Sequence, residues 1–126
     1  MIQELAIVTF HLEVTGNIAN KTITILIDSG ASNTHIAPNL VEKCHLKKCK
    51  LKTMSIVQLA TGDKRKIIEF VKMCPLEMNG VKTFLDLKSI PLGSYDVLIG
   101  MDWLDAHHAI LDCHNKTYTF LDVEGN

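Results

Sequence analysis

Short runs of Ile, Val, Thr and Leu, each closed a few residues later by a turn-forming cluster, restrict this chain to a fold built from strands. The clusters are Thr15-Gly16-Asn17, Asp28-Ser29-Gly30, Thr61-Gly62-Asp63, Asn79-Gly80, Leu92-Gly93-Ser94 and His114-Asn115-Lys116. Between them, residues 7–14 alternate in polarity. Residues 21–27 alternate and then become wholly apolar, 54–60 and 67–73 flank a glycine turn, and 81–87 follow Asn-Gly. Residues 95–99 and 117–120 complete the set. Period-two alternation gives a strand one core face and one wet face, and frequent turns favour an all-β barrel or small sandwich. Two segments break the pattern. Residues 39–45, after Pro38, suit one or two helical turns, because proline fits a first helical position. Residues 101–107 (MDWLDAH) carry helical spacing and form a short helix near the C-terminus. The last hairpin is expected to pair 109–113 with 117–121.

Composition narrows the function. The chain has 126 residues, 47% of them hydrophobic and 21% charged, with a net charge of −1. That is one domain, residues 1–126, too apolar for disorder and without the basic excess of a nucleic-acid binder. The apolar runs are too short for a transmembrane helix, and the N-terminus lacks the basic region and cleavage site of a signal peptide. Cys44, Cys49, Cys74 and Cys113 therefore read as free thiols. Their spacing matches no zinc signature. The basic cluster His45, Lys47, Lys48, Lys50 and Lys52 reads as a solvated face, because the charge elsewhere cancels it.

The stretch Ile25-Leu26-Ile27-Asp28-Ser29-Gly30-Ala31-Ser32 carries the chemistry. A carboxylate at the end of an apolar strand is costly unless it is partnered or used. Asp-Ser-Gly alone is an ordinary turn. Its weight comes from a second apolar run about 70 residues later, Val97-Leu98-Ile99-Gly100, which opens directly into the helix.

With LIDSGAS and YDVLIGMDWLDAHHAILDC in place, the chain resembles the retropepsins, the single-domain aspartic proteases of retroviruses and LTR retrotransposons. Its closest likeness is to the Ty3/Gypsy branch. The resemblance extends over nearly the whole chain. Ser29 stands where the family more often has Thr, which keeps the hydroxyl. What it implies is a closed-barrel-like aspartic protease fold with one short helix near the C-terminus, acting as a homodimer. Peptide hydrolysis of this kind uses two close carboxylates sharing one proton, one as base on a water and the other as acid toward the amide. The chain has one such motif, so Asp28 of two subunits must meet on a two-fold axis.

The neighbours then acquire expected roles. Ser29 ties the two catalytic loops together across the dimer. Gly30 permits the tight turn, and its N–H holds the Asp28 carboxylate. Ala31 keeps the cleft floor open, and Ser32 binds substrate backbone or braces the loop. Residues 58–67 fall where the family has its flap, so Ala60, Thr61, Gly62 and Asp63 are expected to contact substrate as the hairpin closes. Gly100 supports the loop from behind. Trp103 reads as packing, and Asp102 as a helix cap or dipole partner. His107, His108, Asp112, Cys113 and His114 match no metal signature, and no cofactor is expected. The substrate implied is an extended Gag-Pol-type polyprotein, processed in the cytoplasm or an intracellular virus-like particle, with no nucleic acid or membrane as partner. The competing reading is a catalytically silent dimerisation or binding module on the same fold. The C-terminal hairpin is expected to supply much of the dimer seam.

Overall fold

The computed structural model describes residues 10–58 and 62–121. The strands are β1 (His11–Ile18), β2 (Lys21–Asp28), β3 (His35–Ile36), β4 (Cys49–Gln58), β5 (Lys64–Met78), β6 (Val81–Ser89), β7 (Val97–Ile99), β8 (Ile110–Asp112) and β9 (Thr117–Thr119). Two short helices join them, α1 (Pro38–Lys43) and α2 (Met101–Ala106). The turns expected after Pro38 thus form a helix of their own beside the one near the C-terminus.

The main sheet runs β1-β2-β7-β3-β6-β5-β4, and β1 also pairs with β5. That extra pairing closes the barrel. It rests on Gly16, which lies opposite Met78. A Cβ at Gly16 would stand 2.6 Å from the Glu77 carbonyl oxygen and 2.6 Å from the Ile25 side chain. The sequence reading of Thr15-Gly16-Asn17 as a turn is therefore wrong. This glycine serves the close approach of two strands, not a reversal of the chain. The reversal falls at Ala19 and Asn20, both in the left-handed region with φ 51 and 64°, the geometry that suits a two-residue hairpin. Asn79-Gly80 is the turn expected, with φ 51 and 75°.

The first strand's expected span, 7–14, begins outside the described residues, and the observed strand runs on to Ile18. β5 also runs past its expected end at Met73 and through Pro75. Proline breaks a central strand because it has no N–H to donate. Here β4 pairs with β5 only as far as Phe70, so the flank beside the exposed Pro75 has no ladder to interrupt. The register with β6 shifts between Val71 and Cys74. Met73 takes φ 49° at that bulge, and its N–H donates to Asp86 Oδ1 at 2.8 Å.

Alternation on β2 places Ile23, Ile25 and Ile27 in the core at 2, 0 and 0% exposure. Each such side chain contributes about 1.5–3 kcal/mol relative to exposure. β2 and β7 pair in parallel, Ile25 with Val97 and Ile27 with Ile99, which is why Val97-Leu98-Ile99 is apolar without alternation. β8 and β9 form a separate two-stranded sheet. Asp112 accepts the main-chain N–H groups of His114 and Asn115, both at 3.1 Å, and so holds the connecting turn. Tyr118 anchors the hairpin to the barrel, its hydroxyl accepting from Asn79 Nδ2 at 3.2 Å. All four cysteines are free thiols. Burial pushes the Cys74 thiol up to about 11, with Cys44 adding to the effect.

Candidate active site

The register of the β1–β2 hairpin sets the surroundings of Asp28. Each pair lies symmetrically about the Ala19-Asn20 turn, and the outermost is His11 opposite Asp28. His11 Nε2 stands 3.0 Å from Asp28 Oδ1, a contact that becomes an ion pair when the imidazole is protonated. The Gly30 N–H donates to the same oxygen at 2.8 Å, the contact expected of it. The Asp28 side chain keeps 18% of its surface exposed, so the carboxylate is held yet open to the cleft. His11 is absent from the sequence reading. Misplacing the turn at Gly16 hid it, since a turn at Ala19-Asn20 puts His11 beside Asp28 by counting alone.

Ser29 Oγ accepts the Phe10 N–H at 2.6 Å, and the Ser29 N–H donates to the Phe10 carbonyl at 3.0 Å. The loop is thereby clamped to the start of β1 within one chain, and the hydroxyl proton is left to donate elsewhere.

Behind the loop, α2 is stitched to it in both directions. The N–H groups of Met101 and Asp102 donate to the carbonyls of Ala31 and Ser32 at 2.7 and 3.0 Å. These are first-turn donors with no partner inside the helix. In return Asp102 accepts from the Thr34 N–H at 3.1 Å and from Thr34 Oγ1 at 2.5 Å. Thr34 Oγ1 accepts the Gly100 N–H at 3.1 Å. Asp102 also accepts its neighbour Trp103's N–H at 2.7 Å. The N-cap is Gly100, without a side-chain cap bond, so Asp102 is the first-turn dipole partner rather than the cap, joined to a larger role as a loop brace. Thr34, 2% exposed, was missed. Nothing local marks a threonine whose partner lies 68 positions away.

Gly100 packs against this loop so closely that a Cβ would lie 2.8 Å from the Ala31 carbonyl oxygen and 2.7 Å from the Asn33 carbonyl carbon. Trp103 is core, as expected, and its indole N–H donates to Thr83 Oγ1 at 3.1 Å. His107 stacks on it with ring centroids 4.4 Å apart, Nδ1 lying 3.1 Å from the Trp103 carbonyl and Nε2 3.3 Å from Thr83 Oγ1. Among the described residues no three His, Cys, Asp or Glu side chains gather as a metal site. The basic residues His45, Lys47, Lys48, Lys50 and Lys52 are exposed, and Lys48 pairs with Glu42 at 2.6 Å.

In front of Asp28 lies a cleft of about 450 Å³ whose lining includes Gly30, Ala31 and Ser32. Val57 and Gln58, at the end of β4, also line it. The β4–β5 hairpin therefore reaches the cleft from the other side. Gly62 and Asp63 are exposed beyond β4, Gly62 at φ 90°. Ala60 and Thr61 lie outside the described residues.

A second cleft residue, absent from the sequence reading, is His35. It is 5% exposed. Burial, and then the charge of Lys88, lowers its pKa from the ordinary 6.5. The folded ring thus binds a proton less readily than the unfolded one. Stability that depends on the neutral ring is complete above pH 6.5 and is lost as pH falls below it. Urea unfolding across pH 7.5–4.5 is expected to show this decline, and His35→Leu to flatten it. An equal decline in the variant would assign the acid sensitivity to other groups.

A family model described as retroviral aspartyl protease matches residues 9–126. The chain belongs to the retroviral aspartyl protease family. Its fold also matches the crystal structure of the retroviral protease-like domain of Ddi1 from Leishmania major, with a TM-score of 0.67, 22% identity and 88% of each chain covered. A search of curated proteins finds no match. Retropepsin-like domains act as dimers. No helix among the described residues is long and apolar enough to cross a membrane.

Proposed function

We propose that the chain is an aspartic endopeptidase that works as a homodimer, with Asp28 of each copy meeting on the two-fold axis. The observation that carries this reading is the Asp28 carboxylate itself. It stands at the mouth of the cleft, one oxygen fixed by the Gly30 N–H and His11, on a loop braced from behind by α2. Brought together, two such groups share a single proton, because like charges a few Å apart cannot both ionise. The ionised carboxylate takes a proton from a bound water as its oxygen attacks the peptide carbonyl. The protonated one hydrogen-bonds the carbonyl oxygen. The amide nitrogen then takes up a proton as the C–N bond breaks. Ser29, already clamped to Phe10, has its hydroxyl proton available for the facing loop. The β4–β5 hairpin serves as the flap, closing over an extended peptide and excluding water.

The substrate proposed is a Gag-Pol-type polyprotein, from the likeness of YDVLIGMDWLDAHHAILDC to the Ty3/Gypsy enzymes, and its setting an intracellular particle. The fold itself does not choose this substrate, since the Ddi1 domain has it too. The dimer seam is proposed to involve the β8–β9 hairpin, where Ile110 is 70% exposed. Deleting the chain after Asn115 is a poor test of that seam, because it also removes the Tyr118 anchor. The discriminating experiment is cleavage of an apolar peptide at mildly acidic pH by wild type and Asp28→Asn, alongside sedimentation of both. A wild-type dimer without turnover would favour the silent binding module.

A further inference from the structure

The charges of this chain are segregated. Nine of its thirteen Lys and Arg residues fall within residues 43–72, against only Asp63 and Glu69. Outside that stretch stand four cations and twelve acidic residues, so the net charge of −1 conceals a part at +7 and a part at −8. Folding gathers the positive part onto the β4–β5 arm. Lys50 and Lys52 lie on β4, and Lys64, Arg65, Lys66 and Lys72 on β5. All six are exposed. Three exposed apolar side chains stand among them, Met54, Ile56 and Ile68. Val57 and Gln58 of the same arm line the cleft that holds Asp28. Like charges set directly opposite on neighbouring strands are destabilising, and the register limits that cost. Lys64, Arg65 and Lys66 stand opposite Gln58, Val57 and Ile56, and Lys50 stands opposite Glu69. What remains is a positive field beside the cleft, in a chain whose other charges repel an anion. We infer that the arm selects substrate, drawing in peptides that carry Asp or Glu beside the apolar segment to be cut. The inference rests on the endopeptidase reading above and concerns which peptides that site accepts.

The place and make-up of the arm favour a peptide over other polyanions. A peptide seated in the cleft lies against Gln58, and Lys64 is that residue's cross-strand partner. The flanking residues of the peptide therefore meet the cations without a separate docking step. Surfaces that hold single-stranded nucleic acid present aromatic faces for bases to stack on, whereas the arm's one aromatic residue, Phe70, is half-buried. In a homodimer two such arms serve one cleft, and the attraction acts on both sides of the scissile bond. Steering of this kind raises association rates about 10- to 1,000-fold and fades as salt screens it.

The test compares three peptides that share an apolar core and carry flanks of glutamate, glutamine or lysine, each cut by the full-length chain. At about 0.01 M ionic strength, where charges are felt over about 30 Å, the glutamate peptide is expected to lead the glutamine peptide about tenfold in kcat/KM, through KM and not kcat. At about 1 M the two are expected to converge. The triple variant Lys50→Glu, Lys52→Glu, Lys72→Glu is expected to turn the preference toward the lysine peptide, a gain that misfolding cannot mimic. Equal rates for all three peptides, or a preference indifferent to salt or to the triple variant, overturns the inference and leaves the protease reading intact. Binding of oligo-dT or of phosphatidylserine vesicles, with no preference among the peptides, overturns it too and reassigns the arm to nucleic acid or to a membrane surface. If wild type cuts none of the three, the protease reading falls and takes the inference with it.

Discussion

Asp28→Asn is expected to lower kcat for peptide cleavage by about 10³-fold or more while the chain still folds and dimerises. The substitution keeps the shape of the side chain and an oxygen able to accept the Gly30 N–H. What it removes is the group that takes the proton from water. The barrel does not depend on that charge, because Asp28 sits at the end of β2, past the buried Ile23, Ile25 and Ile27. A mixing experiment tests the shared site more sharply. If each active site needs Asp28 from two subunits, an excess of Asp28→Asn chain poisons the wild type. A nine-fold excess leaves roughly one-tenth of the activity the same wild-type chain shows alone, provided subunits exchange freely. Activity that merely tracks the amount of wild-type chain would refute a composite site. Full activity of the pure variant would remove Asp28 from the mechanism.

Gly100→Ala is expected to cost about 3 kcal/mol of stability or more, at the upper end of overpacking, and to disable the site as well. Conformation is not the reason. Gly100 has φ −105°, which any residue adopts. The obstacle is space, for the added methyl meets the carbonyl groups of Ala31 and Asn33. These are main-chain atoms that cannot swing aside as a flexible side chain would. If the loop retreats, it stretches the Met101-to-Ala31 and Gly100-to-Thr34 hydrogen bonds. It also drags the segment that holds Asp28 three residues earlier. Urea unfolding with a parallel activity assay reads both effects. An unchanged midpoint with full activity would show that the loop and α2 do not depend on this contact.

Much of the architecture is legible in the residues. Alternation in Lys21–Asp28 marks a strand with one buried face, and Asn79-Gly80 marks its turn without help. Val97-Leu98-Ile99 is apolar on both faces, which signals a strand interior to the sheet. The misreadings share a cause. Gly16 reads locally as a turn former, and the strand over 67–73 reads as ending before Pro75. Each is explained by a neighbour distant in sequence, Glu77 for the first and the early end of β4 for the second. Local propensity cannot report whether a backbone passes close by or a ladder stops short.

The same division runs through the site. Asp28, Ser29 and Gly30 announce themselves because a carboxylate ending an apolar strand needs a reason, and that reason is local chemistry. Their supports do not. Thr34 reaches Asp102, His11 reaches Asp28 and Thr83 reaches Trp103 only when the barrel closes. His35 is an unremarkable histidine until folding buries it beside the cleft. By itself the sequence determined which elements form and where the reactive carboxylate lies, since alternation, turn chemistry and the penalty on buried charge act over a few residues. Only the tertiary structure decided what braces that carboxylate and what else faces the cleft, since those depend on contacts between residues far apart along the chain.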